Sequence, residues 1–249
     1  MFYYLGLILK RTLLITDLVI FTFLLYVLSF LPQALLDRFY PRLFWAWSRT
    51  FVRALDIRLH LHQKNARPLP KQYLLIANHP SAFEDIGIPA LFNVFSLAKI
   101  EVLDWPIVGR ISAAAGTLFV KREERESRRQ AFEEIIASIE MGRNVALYPE
   151  GGCKGRRIFE TFRHGVFEIS LQTGIPILPV FLEYEMQEQF EWKAGETLPQ
   201  KIWHYLSASN RRVNYYVFDA IEPEHFKDKE DYMQYMHERY VEWQGKYLE

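Results

Sequence analysis

The chain has 249 residues, half of them hydrophobic and 16% aromatic, with 30 basic side chains against 30 acidic ones. That length fits one large domain or one domain with an appendage, and balanced charge gives no electrostatic reason for a nucleic-acid partner. Cys153 is the only cysteine, which excludes an intrachain disulfide and argues against a thiolate metal cluster.

Residues 12–31 form an apolar run broken by one charge, Asp17. As a helix the run is about 30 Å long, enough for the hydrocarbon core of a bilayer. It lacks a small-residue cleavage site, so it reads as an anchor and not as a removable signal peptide. A carboxylate is costly in lipid, and basic residues flank both sides: Lys10 and Arg11 before, then Arg38, Arg42, Arg49 and Arg53. Cytoplasmic flanks are the basic ones. The expectation is an anchor that dips into, or lies along, the cytoplasmic face. Pro41 is expected to open the next helix. There Arg42, Arg49 and Arg53 recur at helical spacing among Leu43, Phe44, Trp45, Trp47, Phe51 and Val52, a composition that suits the headgroup layer. The alternative is a core helix with a basic edge. Residues 1–55 are thus expected to form a membrane-associated helical segment, and residues 56–249 the main domain.

Residues 56–62 alternate and predict a strand. His60 and His62 fall on its polar phase with no third ligand nearby, so they read as surface residues. Residues 65–70 carry two prolines and predict a turn. Residues 73–77 predict a buried strand, and 84–92 a helix weakened by Gly87 and Pro89. A short helix over 105–115 and a strand over 118–120 follow. Phe132, Ile135, Ile136 and Ile139 keep helical spacing, so 126–141 predicts an amphipathic helix that Gly142 stops. The remaining predictions are a strand over 145–148, a helix over 162–172 ended by Gly174, strands over 177–183 and 213–219, and a terminal helix over 229–248. Strands alternating with helices predict an α/β fold, a mixed sheet flanked by helices, carrying the N-terminal apolar helical membrane anchor.

The segment Asn78-His79-Pro80-Ser81-Ala82-Phe83-Glu84-Asp85 lies where a predicted strand turns into a helix. Ser81 through Glu84 has the form of a capping box with Ser81 as N-cap, and ligands collect at strand ends in α/β sheets. A histidine there can take a proton from a hydroxyl at neutral pH, best when a carboxylate holds its other ring nitrogen. No serine-nucleophile elbow is present and no nucleophile signature surrounds Cys153. The nucleophile is therefore expected to be the acceptor's own hydroxyl. The bland alternative is a structural histidine beside a capping glutamate.

Three more segments follow in order: Gly116-Thr117-Leu118-Phe119-Val120-Lys121-Arg122, Tyr148-Pro149-Glu150-Gly151-Gly152 and Ile175-Pro176-Ile177-Leu178-Pro179-Val180. Together the four resemble the motifs of the lysophospholipid acyltransferase family typified by 1-acyl-glycerol-3-phosphate acyltransferase, over about residues 73–184. Residues 56–249 would then be the acyltransferase domain. That family carries His, four residues, then Asp. Here the spacing lands on Glu84, with Asp85 one position later. The resemblance implies that one of the two carboxylates partners His79 as the catalytic pair, and the register of Asn78, His79 and Ser81 favours Glu84. It implies further that Gly116, Phe119 and Arg122 belong to an acceptor-phosphate motif, with the Arg122 fork suited to phosphate oxygens and Lys121 adding charge. Arg125, Arg128 and Arg129 are mixed with Glu123, Glu124 and Glu126 and read as a solvated, ion-paired helix face.

In the third motif Glu150 is expected to bond the acceptor or to hold Arg122, and Gly151 to admit close backbone approach. Gly152 stands where the family has Thr, which bears on acceptor identity. Lys154, Arg156 and Arg157 follow, and Arg163 is a candidate second cation for phosphate. Residues 175–180 are expected to wall the acyl pocket. The implied protein is a membrane O-acyltransferase with its catalytic domain on the cytoplasmic face. It would move a fatty acyl group from acyl-CoA or acyl-carrier protein to a lysophospholipid, lysophosphatidic acid first. Neither metal nor organic cofactor is required, because a thioester is already activated. Two alternatives remain: another lysolipid acceptor, including a lyso-aminolipid, and a non-catalytic lipid-binding protein of the same fold.

Overall fold

The computed structural model describes residues 2–153, 155–193 and 195–248, with side chains described from Leu5 onward; Lys154 lies outside the described residues. Seven strands form one sheet: β1 (Arg58–Gln63), β2 (Leu74–Ala77), β3 (Phe95–Lys99), β4 (Leu118–Val120), β5 (Val145–Leu147), β6 (Ile177–Tyr184) and β7 (Arg212–Val217). Their order is β1-β7-β6-β2-β5-β3-β4. Every neighbouring pair is parallel except β6 with β7. The helices are α1 (Phe2–Leu28), α2 (Gln33–Ala54), α3 (Glu84–Leu91), α4 (Val108–Ala114), α5 (Arg125–Glu140), α6 (Gly165–Thr173), α7 (Gln187–Phe190), α8 (Leu198–Ser207) and α9 (Lys229–Tyr247).

β2, β5 and β6 are apolar on both phases because both faces of a central parallel sheet are covered. Leu75, Ala77, Leu178, Val180 and Tyr215 face one core, closed by α2, α3 and α8. Leu74, Ile76, Val145, Ile177 and Phe181 face the other, closed by α5, α6 and α9. The Tyr240 hydroxyl of α9 donates to the carbonyls of Ile76 (2.9 Å) and Val180 (3.1 Å), tying β2 to β6 just below their C-terminal ends. Residues 175–180 therefore build the centre of the sheet. Ile177, Leu178 and Val180 are wholly buried in the two cores, so they do not wall an open pocket.

β3, α7 and α8 go beyond the sequence reading. β3 is a short strand between β5 and β4, and its five residues, Phe95 to Lys99, carry no turn signal at either end. α8 begins at a Thr197-x-x-Gln200 signature, in which the Thr197 N–H donates to Gln200 Oε1 at 2.9 Å.

α1 carries 24 residues, Leu5–Leu28, long and apolar enough to cross a membrane. Its outer surface is bare: Leu13, Val19, Ile20 and Phe23 are 61–67% exposed. α2 begins after Pro32 and not at Pro41, which lies buried inside it and removes one backbone donor. The aromatic residues of α2 are used for docking. The Tyr40 hydroxyl donates to Leu25 O (2.8 Å), and Trp47 Nε1 to Thr22 Oγ1 (2.8 Å), both on α1. Trp45 Nε1 donates to Val94 O (3.0 Å), and Arg49 Nε to Ala90 O (3.0 Å) at the end of α3. This face of α2 meets protein and not headgroups, as in the core-helix alternative. Val52, Ala54 and Leu55 share a core with β2 and β6, so the expected boundary at 55/56 is no break in packing. α1 is the separable part. Deleting residues 2–28 removes the bare apolar surface and should release the protein from lipid vesicles in a flotation assay. Continued flotation would show that α2 holds lipid by itself.

Candidate active site

β2 ends at Ala77, and the next residue locks its end to β6. Asn78 Nδ2 donates to Leu182 O (2.9 Å), and Leu182 N donates back to Asn78 Oδ1 (2.7 Å). His79 thus leaves the C-terminal end of a central strand, where α/β sheets place their ligands. Its own N–H donates to Glu150 Oε1 at 2.7 Å, and its ring stacks on Tyr148, centroids 4.1 Å apart and 10° from parallel. These hydrogen bonds and the ring stack leave the imidazole little freedom.

His79 Nδ1 lies 2.8 Å from Glu84 Oε2. The pair is buried, His79 at 5% exposure and Glu84 at 0%. Glu84 Oε2 also accepts the Ser81 N–H (3.0 Å), and Oε1 accepts the Tyr184 hydroxyl. Three donors converge on one carboxylate, so it serves as an acceptor and fixes the Nδ1–H tautomer. Nε2 then presents its lone pair. Glu84, and not Asp85, is the histidine's partner. Asp85 is one residue further round the first turn of α3, and its Oδ1 forms no hydrogen bond of ordinary geometry. It acts on His79 only through its charge.

The expected capping box is half formed. Glu84 takes the Ser81 N–H, but Ser81 Oγ accepts from Phe83 N (3.2 Å) and donates to Phe190 O, and α3 starts only at Glu84. Ser81 thereby ties the histidine turn to α7. The next residues reinforce that link: Trp192 N donates to Pro80 O (3.4 Å), and the Trp192 ring stacks on Trp105.

Burial sets the electrostatics. It pushes His79 below the usual histidine range, with Arg122 adding to the effect and Asp85 and Glu150 opposing it. It pushes Glu84 up, against the Tyr184 and Ser81 hydrogen bonds. Asp85 rises to about 6 and Glu150 to about 7, again mainly through burial. A neutral imidazole that keeps its Nε2 lone pair is the resting state of a general base at neutral pH.

Gly151 adopts φ +75°, a left-handed turn that L side chains resist. Two arginines lie over this turn. A Cβ at Gly151 would stand 3.3 Å from Arg163 Nε, and one at Gly152 would stand 3.1 Å from Arg122 Nη1. Among the described residues neither guanidinium has a carboxylate partner. Glu150 does not hold Arg122. Its oxygens accept the N–H groups of His79 (2.7 Å) and Phe159 (3.1 Å), so it joins two loops of the site from beneath.

Gly116 and Phe119 set the path that brings Arg122 in. Gly116 takes φ +82° after α4, with the Phe95 ring against it, and Phe119 pairs with Ala98 in β4. The Arg122 carbonyl accepts from Arg128 Nη1 at 2.6 Å. Lys121 is paired with Glu124, and Arg129 with Glu126 and Glu133, as expected of a solvated face.

Cys153 and Tyr184 were not legible as site residues. Cys153 Sγ sits 3.5 Å from His79 Nε2; its adjacency to the glycine turn was the only signal. Tyr184 lies beyond the fourth motif, on the strand phase that reaches α3, and nothing local marks it.

A buried imidazole at a strand end, a carboxylate behind it and two arginines without a carboxylate partner among the described residues meet across a glycine turn. The family model described as Acyltransferase matches residues 58–183, and the chain belongs to that family. It is 28% identical over 139 residues to a 1-acyl-sn-glycerol-3-phosphate acyltransferase of Neisseria meningitidis, covering 55% of this chain and 53% of the relative. It is 29% identical over 138 residues to a lyso-ornithine lipid O-acyltransferase of Pseudomonas aeruginosa, with the same coverage, 55% and 53%. The matched stretch thus spans about half the length of these curated relatives. Among solved structures, the 1-acyl-sn-glycerophosphate (LPA) acyltransferase PlsC of Thermotoga maritima shares the fold, with TM-score 0.61 over 95% of this chain and 97% of that one at 18% identity.

Proposed function

We propose that the protein is a membrane-bound O-acyltransferase that moves a fatty acyl group from a thioester to the free hydroxyl of a lysophospholipid, with lysophosphatidic acid as the leading acceptor. The observation that carries this reading is the His79 ring, held at Nδ1 by Glu84 so that Nε2 keeps its lone pair, and placed beside Arg122 and the Gly151–Gly152 turn. In this role Nε2 takes the acceptor's proton while Glu84 stabilises the imidazolium that forms. Arg122 and Arg163 hold the phosphate. α1 keeps the site at the lipid surface, and the basic residues on both flanks of the apolar run favour the cytoplasmic face.

Purified protein given a radiolabelled acyl thioester and a panel of lysolipids is expected to acylate lysophosphatidic acid. Absence of transfer to every acceptor would leave only the lipid-binding alternative. Gly152, with no hydroxyl where the family has Thr, and the lyso-ornithine lipid relative support a second reading, a lyso-aminolipid acceptor. Preference for that acceptor in the same panel would decide for it.

Arg122→Ala should raise the acceptor KM roughly 10- to 100-fold with little change in kcat, since one charge-assisted contact is worth about 1.5–3 kcal/mol. An unchanged KM for a phosphate-bearing acceptor would remove Arg122 from the site.

A further inference from the structure

The end of the sheet that carries His79 also carries a cluster of arginines that no step of acyl transfer uses. β7 runs antiparallel to β6 and parallel to β1, so β1 and β7 begin where β6 ends. There the Arg58 N–H donates to Arg211 O at 2.8 Å, and Arg58 and Arg212 are register partners. Arg212 is paired with Glu185 at 3.2 Å, and Arg211 with Asp56 at 3.1 Å. β1 lies three strands from β2 in the sheet, roughly 14 Å at the usual strand spacing. α1 brings another arginine to the same place. Leu14 packs on the core that holds Val52, Ala54 and Leu55 at the end of α2, so Arg11, one turn earlier, extends past that end toward Asp56 and Arg58. Arg53 joins from the last turn of α2, where its carbonyl accepts the Asp56 N–H at 3.1 Å.

Arg11, Arg53, Arg58 and Arg211 thus gather around one carboxylate, Asp56, which Arg211 already holds. Among the described residues the other three have no carboxylate partner. Arg53 and Arg58 are exposed, and Arg11 is half-buried. Burial lowers the Arg211 guanidinium from the ordinary arginine value, and Arg11 and Arg58 add to the effect against Asp56. Like charges gathered this way repel one another, and an anion from outside relieves them. Two neighbours indicate which anion. Arg11 borders the bare apolar band of α1, where Leu13, Val19, Ile20 and Phe23 stand exposed. Arg211 also caps α8, donating through Nε to Tyr205 O (3.0 Å) and through Nη2 to Leu206 O (2.6 Å). One turn before Leu206 on that helix stands Trp203, at 68% the most exposed large hydrophobic side chain among the described residues. Arginines and an exposed tryptophan beside apolar surface suit the headgroup layer of a bilayer.

We propose that Arg11, Arg53, Arg58 and Arg211, with Trp203, form a second membrane-docking surface, built largely on the acyltransferase domain, that binds the anionic headgroups of a bilayer. It rests on the membrane reading of α1 and goes beyond it: α1 supplies apolar insertion, and the arginine surface supplies preference for negative charge. Because the surface lies at the His79 end of the sheet, seating it on headgroups brings the mouth of the site close to the leaflet that holds the lysolipid.

Full-length protein is floated with phosphatidylcholine vesicles, and separately with vesicles of phosphatidylcholine and phosphatidylglycerol, at low and at high salt. Wild type is expected to bind both, the anionic vesicles more tightly, with the excess lost in high salt. Arg11→Gln/Arg58→Gln should weaken binding to anionic vesicles about fivefold for each charge removed and leave binding to phosphatidylcholine unchanged. Trp203→Ala should weaken binding to both. Lys71→Gln, an exposed cation at the opposite end of the sheet, should change neither. None of these side chains is buried, so the variants keep the fold. A double variant with wild-type affinity for anionic vesicles overturns the proposal, as does an equal loss in Lys71→Gln. Unchanged flotation together with a raised KM for palmitoyl-acyl-carrier protein would show that the cluster docks an acidic carrier and not a bilayer. Each of these results leaves the acyl-transfer reading standing. Wild-type protein that floats with neither vesicle overturns the membrane reading of α1, and the proposal with it.

Discussion

Replacing His79 with alanine should abolish acyl transfer, by on the order of 10²–10⁴-fold or more, since one group supplies the general base for the whole reaction. The ring makes no hydrogen bond to the core strands, and its backbone N–H to Glu150 survives the substitution. The variant should therefore fold and still float with lipid vesicles through α1. Appreciable residual turnover would refute the role of base. The pH profile gives an independent check. A base must be unprotonated to act, and burial holds the His79 imidazole below its ordinary value of about 6.5. The acidic limb of kcat/KM should therefore lie below that value, with activity lost only as pH falls through the lowered pKa. An acidic limb above 7 would contradict the buried, neutral ring.

The second large effect distinguishes the two adjacent carboxylates. Glu84→Gln should cost about 10²–10⁴-fold in kcat, because an amide cannot stabilise the imidazolium and sets its NH₂ against a donor. Asp85→Asn should stay within about tenfold of wild type, since Asp85 contributes charge and no hydrogen bond to the ring. The amide is chosen over alanine at Glu84 because truncation would also strand the Tyr184 hydroxyl and the Ser81 N–H inside the core. The reverse order of effects, with Asp85→Asn the severe variant, would show that the turn rearranges when substrate binds.

Much of the site was visible as residue types in order, and much of its wiring was not. His79, Arg122 and the Gly151–Gly152 turn meet as expected, because each sits at the end of a strand whose apolar pattern could be read. Glu150 shows the opposite case. A conspicuous acid in a motif suggests a ligand contact, yet both its oxygens are spent on backbone N–H groups. Pro41 was misleading for a related reason. A proline marks a helix start by its missing donor, but Pro32 already supplied that signal and α2 tolerates the second one within its length. β3 escaped notice because five residues of mixed polarity have no period long enough to separate a strand from a loop.

By itself the sequence determined the alternation of strands and helices, the doubly buried central strands, the bare apolar α1 and the presence of a histidine at a strand end. Those properties depend on periodicity and composition, which are local. The register of Asn78, His79 and Ser81 already favoured Glu84 over Asp85; only the tertiary structure decided what Glu150 holds and that a thiol 74 positions away meets Nε2. Such choices depend on the dihedrals of one tight turn and on strands packed side by side from distant parts of the chain. Spacing along the chain carries no record of either.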